Sequence, residues 1–114
     1  MARGNFLTGP EAEIMNSVLI VSQQSRFGAT VKNVHKNLYP KGEKALTTVQ
    51  TVMDRLERKG FLKKEMIGLV NFYTPAISRE EIIKSEVLVL AARWFKGSLA
   101  DLSKTIKIME RRDG

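Results

Sequence analysis

Residues 45–62, ALTTVQTVMDRLERKGFL, decide the fold. Apolar side chains recur in this stretch at helical spacing, and Gly60 is placed to end a helix that begins at about Leu46. The first turns of this helix carry Thr47, Thr48 and Thr51, although β-branching makes threonine a poor helix former. A helix whose exposed first turns hold such residues is predicted to use them for binding rather than for folding.

Two further helices are predicted before this stretch. A capping box of Thr8 and Glu11 begins the first helix, which extends to about Gln23. Thr30 is placed to cap the second helix, because a threonine hydroxyl accepts a hydrogen bond from the first turn. A short strand is predicted between them, over residues 27–29. The stretch quoted above is therefore the third helix of three.

After Gly60 the apolar period changes from helical to extended. Residues 61–75 are predicted to form a two-stranded hairpin that turns near Gly68. Ser78 begins another capping box, which opens a long helix to about Phe95. A last helix is predicted over Leu99–Met109. Three helices followed by a hairpin predict a winged helix-turn-helix, mostly α with a small β-hairpin, in which the third helix enters the DNA major groove.

The order of elements divides the chain into two predicted domains. Residues 1–77 are predicted to be the winged helix-turn-helix DNA-binding domain, and residues 78–114 a C-terminal helical dimerisation region. The last two helices carry more apolar side chains than one small domain can easily bury, so a second copy is the expected cover, although an intramolecular core is the alternative. The predicted homodimer interface comprises Ile83, Val87, Leu90, Trp94, Phe95, Leu99, Leu102 and Ile106.

The chain is basic. Its 114 residues include 19 Lys and Arg against 12 Asp and Glu, which gives a formal net charge of +7. Residues 26–66 alone hold ten basic and four acidic side chains. Such an excess indicates a polyanionic partner, either nucleic acid or an anionic membrane surface. A membrane-surface helix needs a basic face and a bulky apolar face, which only the last helix matches, and that weakly.

Composition also argues against several classes of function. The sequence has no cysteine and one histidine, so disulfides, thiolate metal sites and a cysteine nucleophile are excluded. No set of side chains matches the nucleophile and base of an enzyme, and no metal or other cofactor is predicted. The apolar run Val18–Val21 is too short to cross a membrane, and Met1–Thr8 lacks the pattern of a signal peptide. A cytoplasmic protein without a membrane partner is expected.

The solvent face of the third helix explains its threonines. Short hydroxyl side chains let the backbone approach base edges, a glutamine can bond adenine, and an arginine can reach guanine or phosphate. The alternative is that Thr47 only caps the helix and that Thr48 and Thr51 are neutral surface. Basic side chains around this helix are predicted on the DNA backbone, although Lys63 and Lys64 also fit a solvated strand edge. The predicted DNA-binding residues are Thr30, Lys32, Lys44, Thr47, Thr48, Gln50, Thr51, Arg55, Arg58, Lys63 and Lys64.

Four stretches in combination resemble the penicillinase repressor family. They are LTGPEAEIM at 7–15, TTVQTVMDRLERKGFL at 47–62, FYTPAISREE at 72–81 and FKGSLADL at 95–102. The resemblance implies a homodimer that represses promoters by binding a palindromic double-stranded DNA operator with TGTA- or TGT-like half-sites. It also implies that the last two helices form the dimer interface.

The sequence departs from this family where repression is relieved. Penicillinase-type members are cleaved at an Asn-Phe bond in the C-terminal helix, whereas residues 103–107 here read SKTIK; the Asn5-Phe6 and Asn71-Phe72 pairs lie elsewhere. Copper-responsive members carry a C-terminal cysteine hook, which this chain lacks. Leu69 stands in the wing where relatives often carry Arg. The inducer is therefore not readable, and two alternatives stay open: a winged-helix protein-interaction module and a nonspecific basic DNA-binding protein.

Overall fold

The computed structural model describes residues 7–113, so residues 1–6 of the stretch that lacks a signal-peptide pattern, with the Asn5-Phe6 pair, lie outside the described residues. Within residues 7–113, five helices and one antiparallel hairpin form. In chain order they are α1 (Gly9–Gln23), α2 (Val31–Leu38), α3 (Leu46–Arg58), β1 (Leu62–Ile67), β2 (Val70–Pro75), α4 (Arg79–Trp94) and α5 (Leu99–Asp113).

The first two helices begin at the capping residues that the sequence predicts. The Thr8 hydroxyl accepts from the Glu11 amide, and the Glu11 carboxylate accepts from the Thr8 amide, which completes the capping box. The Thr30 hydroxyl accepts from the Asn33 amide at the start of α2. Both caps are thereby confirmed, and they fix where the two helices enter the domain.

The third helix begins differently. Its N-cap residue is Ala45, which has no side-chain hydrogen bond to offer the first turn. Thr47 lies inside the helix, so the interpretation of Thr47 as a cap is wrong. The apolar side of α3 is buried as predicted, which leaves its threonines to solvent. The buried side chains of α3 are Val49, Val52, Met53 and Leu56.

One apolar core holds α1, α2, α3 and the hairpin together. The helices α1 and α3 supply most of it, while Val34 comes from α2. Tyr73 on β2 is the largest of its nearly inaccessible side chains, and it closes the core below the hairpin. In a close-packed interior of this kind, a change in volume of even one methylene group affects stability. The remaining buried core members of this part of the chain are Leu7, Ile14, Met15, Val18, Val21, Ala29, Phe61 and Leu62.

One backbone bridge, between Ala29 and Tyr73, joins the loop before α2 to the hairpin. The Ala29 amide donates to the Tyr73 carbonyl over 2.8 Å, and the Tyr73 amide donates to the Ala29 carbonyl over 2.7 Å. The predicted strand over residues 27–29 is therefore reduced to one bridge. Gly28 has a φ of +109°, and a Cβ placed on it would lie 2.6 Å from the Tyr73 carbonyl oxygen. Only glycine fits this approach of two backbones.

The two C-terminal helices are separated at residues 95–98, between the predicted end of one helix and the predicted start of the next. Lys96 and Gly97 both have positive φ, and the Gly97 amide donates to the Ala91 carbonyl, which ends α4. The Ser98 hydroxyl then accepts from the Asp101 amide and caps α5. The predicted end of α5 at Met109 is four residues short, because α5 continues to Asp113.

Three helices, a hairpin that follows the third, and two further helices confirm the predicted winged helix-turn-helix class with a mostly helical chain. The chain divides into two compact units, with the boundary between Arg79 and Glu80. Within residues 7–113, no helix has the length and apolar character needed to span a membrane.

Candidate DNA-binding surface

The outward side of α3 is polar and exposed. Thr47, Thr51 and Arg58 follow one another along its centre, opposite the buried side, and each is exposed. The Thr51 hydroxyl donates to the Thr47 carbonyl over 2.9 Å, so both of its lone pairs remain available to accept. Thr48 and Gln50 are also exposed, on the two flanks of this line. Five of the predicted groove-facing and backbone residues are therefore accessible together.

One flank of α3 contacts the start of α1. Glu11 is only 1% exposed, and Lys59 donates to its two carboxylate oxygens over 2.8 and 3.0 Å. Arg55 Nη1 lies 3.7 Å from Glu11 Oε2, while 43% of the Arg55 side chain stays exposed. Burial alone would raise the pKa of Glu11, but the bonds from Lys59 and Thr8 and the two positive charges outweigh it, so its pKa lies below the ordinary value of 4.5.

This buried carboxylate makes stability depend on acid pH. Because the folded-state pKa lies below 4.5, the contribution of ionised Glu11 is complete well above that pH and is lost as the pH falls through the folded-state pKa. Glu11→Gln is expected to lower the free energy of unfolding by about 1–3 kcal/mol near neutral pH, less than for a fully buried pair because Lys59 and Arg55 reach solvent. In urea titrations the difference from wild type should shrink below pH 4.5. A difference that stays constant down to about pH 3 would contradict the assignment.

The other flank of α3 contacts the hairpin. The Tyr73 hydroxyl donates to Asp54 Oδ1 over 2.6 Å, and Lys64 Nζ lies 3.4 Å from the same oxygen. Burial first, and then this hydrogen bond to Asp54, raises the pKa of Tyr73, so the hydroxyl remains a donor beyond the pH at which tyrosine ordinarily ionises. Asp54 thus fixes the hairpin against α3 and partly neutralises Lys64.

Lys44 lies directly before the beginning of α3. Because Ala45 provides no side-chain cap, the first two amides of α3 remain available to an anion, which a helix N-terminus favours. The turn before α3 is fixed from α2, since His35 Nε2 donates to the Lys44 carbonyl over 2.6 Å. Lys44 Nζ itself lies 5.8 Å from the centre of the Tyr39 ring. Lys32 and Lys63 are exposed, and among residues 7–113 neither forms an ion pair.

The tip of the hairpin is apolar. Leu69 is 97% exposed, and Met66, Ile67 and Val70 beside it are also accessible. Arginine or lysine at such a tip would contact phosphate directly, whereas leucine offers no charge. The cationic side chains of the hairpin, Lys63 and Lys64, lie nearer its base.

The predicted dimer stripe is largely exposed in the single chain. Trp94 is 76% exposed, and tryptophan seldom leaves so much apolar surface in water. Leu102 differs, because it is already buried in the single chain and leaves little surface for a partner. Phe95 is half-buried. The other exposed members of the predicted stripe are Ile83, Val87, Leu90, Leu99 and Ile106.

Sequence reasoning missed two residues that shape this surface. The sequence predicts Glu11 only as half of a capping box, and Asp54 is not among the predicted DNA-binding residues. Their partners Lys59 and Tyr73 lie 48 and 19 residues away along the chain, so no local spacing reveals either contact. The sequence offers one signal for the ion pair of Glu11. Its glutamate lies beside an apolar run, and a lysine follows at the end of a later helix.

The chain was compared with known protein families and with curated proteins. The family model described as the penicillinase repressor matches residues 7–110, nearly the whole chain. No curated protein matches the chain.

Proposed function

Because the chain belongs to the penicillinase repressor family, we propose that it is a transcriptional repressor that binds a palindromic DNA operator as a homodimer. The observation that carries this proposal is the outward side of α3. Its exposed threonines, an N-terminus without a side-chain cap and the Lys44 side chain directly before it suit entry into the major groove and contact with phosphate.

We assign the contacts by chemistry. Residues of α3 are proposed to meet base edges, because threonine, glutamine and arginine bond them or pack against the thymine methyl. These are Thr47, Thr48, Gln50, Thr51 and Arg55. Basic and hydroxyl groups around them are proposed on the phosphate backbone, where they set register rather than sequence. These are Thr30, Lys32, Lys44, Arg58, Lys63 and Lys64.

The proposal of a homodimer rests on the second compact unit, which begins at Glu80. Its exposed stripe, in which Trp94 is the most accessible member, is proposed to pack against the same stripe of a second copy in a two-fold interface. A two-fold protein recognises a two-fold site, so the operator is proposed to be palindromic, with half-sites about one helical turn or a multiple apart. No enzymatic step enters this proposal.

Selection of bound fragments from the source genome tests the proposal. The full chain is incubated with the fragments and competitor DNA near physiological salt, and bound DNA is sequenced. Enrichment of one palindrome is the expected result. Binding without enrichment that fades steeply with salt would instead indicate a nonspecific basic protein. Absence of DNA binding would favour a winged-helix module that binds protein.

The apolar wing tip gives a gain-of-affinity prediction. Leu69→Arg is expected to tighten operator binding and to steepen the slope of log Kd against log salt by about one, because one more phosphate is neutralised. Leu69→Gln is the matched control, since it is polar at the same position and adds no charge, and its slope should equal that of wild type. Equal slopes for the Arg and Gln variants would place the wing tip away from the phosphates.

A further inference from the structure

The Glu11 carboxylate has more partners than a helix cap requires. Its Oε1 accepts from the Thr8 amide over 3.0 Å and from Lys59 over 2.8 Å. Its Oε2 accepts from Lys59 over 3.0 Å and lies 3.7 Å from Arg55 Nη1. Capping of α1 uses only Thr8, and Lys59 alone neutralises the charge, so neither requirement explains the approach of Arg55.

Charge and exposure differ across this cluster. Glu11 is buried, the Lys59 side chain is 29% exposed, and the Arg55 side chain is 43% exposed. Two cations against one anion leave a net positive charge, and the more accessible of the two cations is Arg55. A guanidinium has five N–H donors in a rigid fork, so one edge can face Glu11 while the others point to a ligand.

We propose that Glu11 is the positioning residue that makes Arg55 a specificity determinant. This inference rests on the proposed function, because it concerns the same DNA-binding surface. A free arginine side chain loses up to about 2 kcal/mol of rotamer freedom when it is fixed. Because Glu11 holds the Arg55 side chain, that side chain is already ordered when it contacts DNA. Its guanidinium group is thereby held in a fixed position on the flank of α3. A guanidinium group in a fixed position discriminates between base pairs, whereas a mobile guanidinium group contacts whichever phosphate is near.

The test is a double-mutant cycle on the selected operator and on operators with each half-site base pair changed in turn. Arg55→Ala is expected to lower discrimination at one base pair about 5- to 100-fold. Glu11→Gln, which keeps an acceptor for the Thr8 amide, is expected to lower discrimination about 3- to 10-fold at the same base pair and nowhere else. The double variant should discriminate no worse than Arg55→Ala alone.

Two controls separate positioning from stability. Lys59→Met removes the other partner of Glu11 and destabilises the same cluster, but it leaves the Arg55 contact in place, so discrimination should persist. Gln50→Ala should lower discrimination at a different base pair. Circular dichroism checks that each variant is folded at the assay temperature. Glu11→Asp, which keeps the charge and withdraws the carboxylate by one methylene, replaces Glu11→Gln if the latter unfolds.

The outcomes distinguish this inference from the proposed function. Loss of discrimination at the Arg55 base pair, with no further loss in the double variant, supports it. The role of Glu11 is overturned if the Glu11 variants discriminate as well as wild type, or if the loss in the double variant is the sum of the single losses. Either outcome leaves the proposed repressor function intact. A wild-type protein that discriminates at no base pair overturns both.

Discussion

Gly28→Ala is expected to lower the free energy of unfolding of the winged-helix unit by about 3–5 kcal/mol, a large part of the stability of a small domain. Two costs combine at this position. The backbone φ of +109° is one that residues with a Cβ rarely adopt, and the new Cβ would lie 2.6 Å from the Tyr73 carbonyl oxygen and 2.7 Å from Thr74 Cγ2. Relief requires the loop before α2 to move from β2, which breaks the Ala29–Tyr73 bridge.

Gly42 supplies the matched control for this prediction. Its φ is +74°, but a Cβ on Gly42 would meet no atom within 4 Å. Gly42→Ala therefore isolates the backbone cost and should destabilise by only about 1 kcal/mol. Urea unfolding followed by far-ultraviolet circular dichroism measures both variants. Equal effects would mean that the close approach of Gly28 to β2 contributes nothing.

The elements of this fold were predictable because their signals are local. The hydroxyls of Thr8 and Thr30 sit one residue before their helices, and the helical period of α3 identifies its buried side without any tertiary information. The end of α5 was missed for a local reason too. No glycine or proline follows Met109 until Gly114, and glutamate and arginine are good helix formers, so nothing stops the helix earlier.

The contacts that shape the candidate site depend on distant parts of the chain. The period of α3 places Arg55 and Asp54 away from the core, yet it cannot show that Glu11 approaches one and that Tyr73 bonds the other. Gly28 is similar, since its constraint appears only once β2 lies beside it. An apolar stripe on a helix also does not reveal whether it packs within its own chain or against a second copy. Leu102 belongs to the predicted dimer stripe and is nevertheless buried in the single chain.

Leu90→Ala with Trp94→Ala is expected to convert the proposed homodimer to a monomer of 12.9 kDa in sedimentation velocity at micromolar concentration. Both side chains lie on one face of α4, and both are exposed in the single chain. Tryptophan is among the side chains that most often supply the largest share of the binding energy of an interface. Leu88→Ala is the matched control, because it removes an exposed leucine from another face of the same helix and should leave the dimer intact.

The affinity for the full operator should depend on dimerisation. Two linked copies bind two half-sites together, and loss of the link is expected to weaken binding to the full palindrome by about 10²- to 10⁴-fold. Binding to a single half-site should stay unchanged, since the surface of α3 is untouched by substitutions in α4. This contrast between full site and half-site separates loss of dimerisation from unfolding, which would abolish both. If Leu88→Ala dissociated the dimer and the double variant did not, the interface would use the other face of α4.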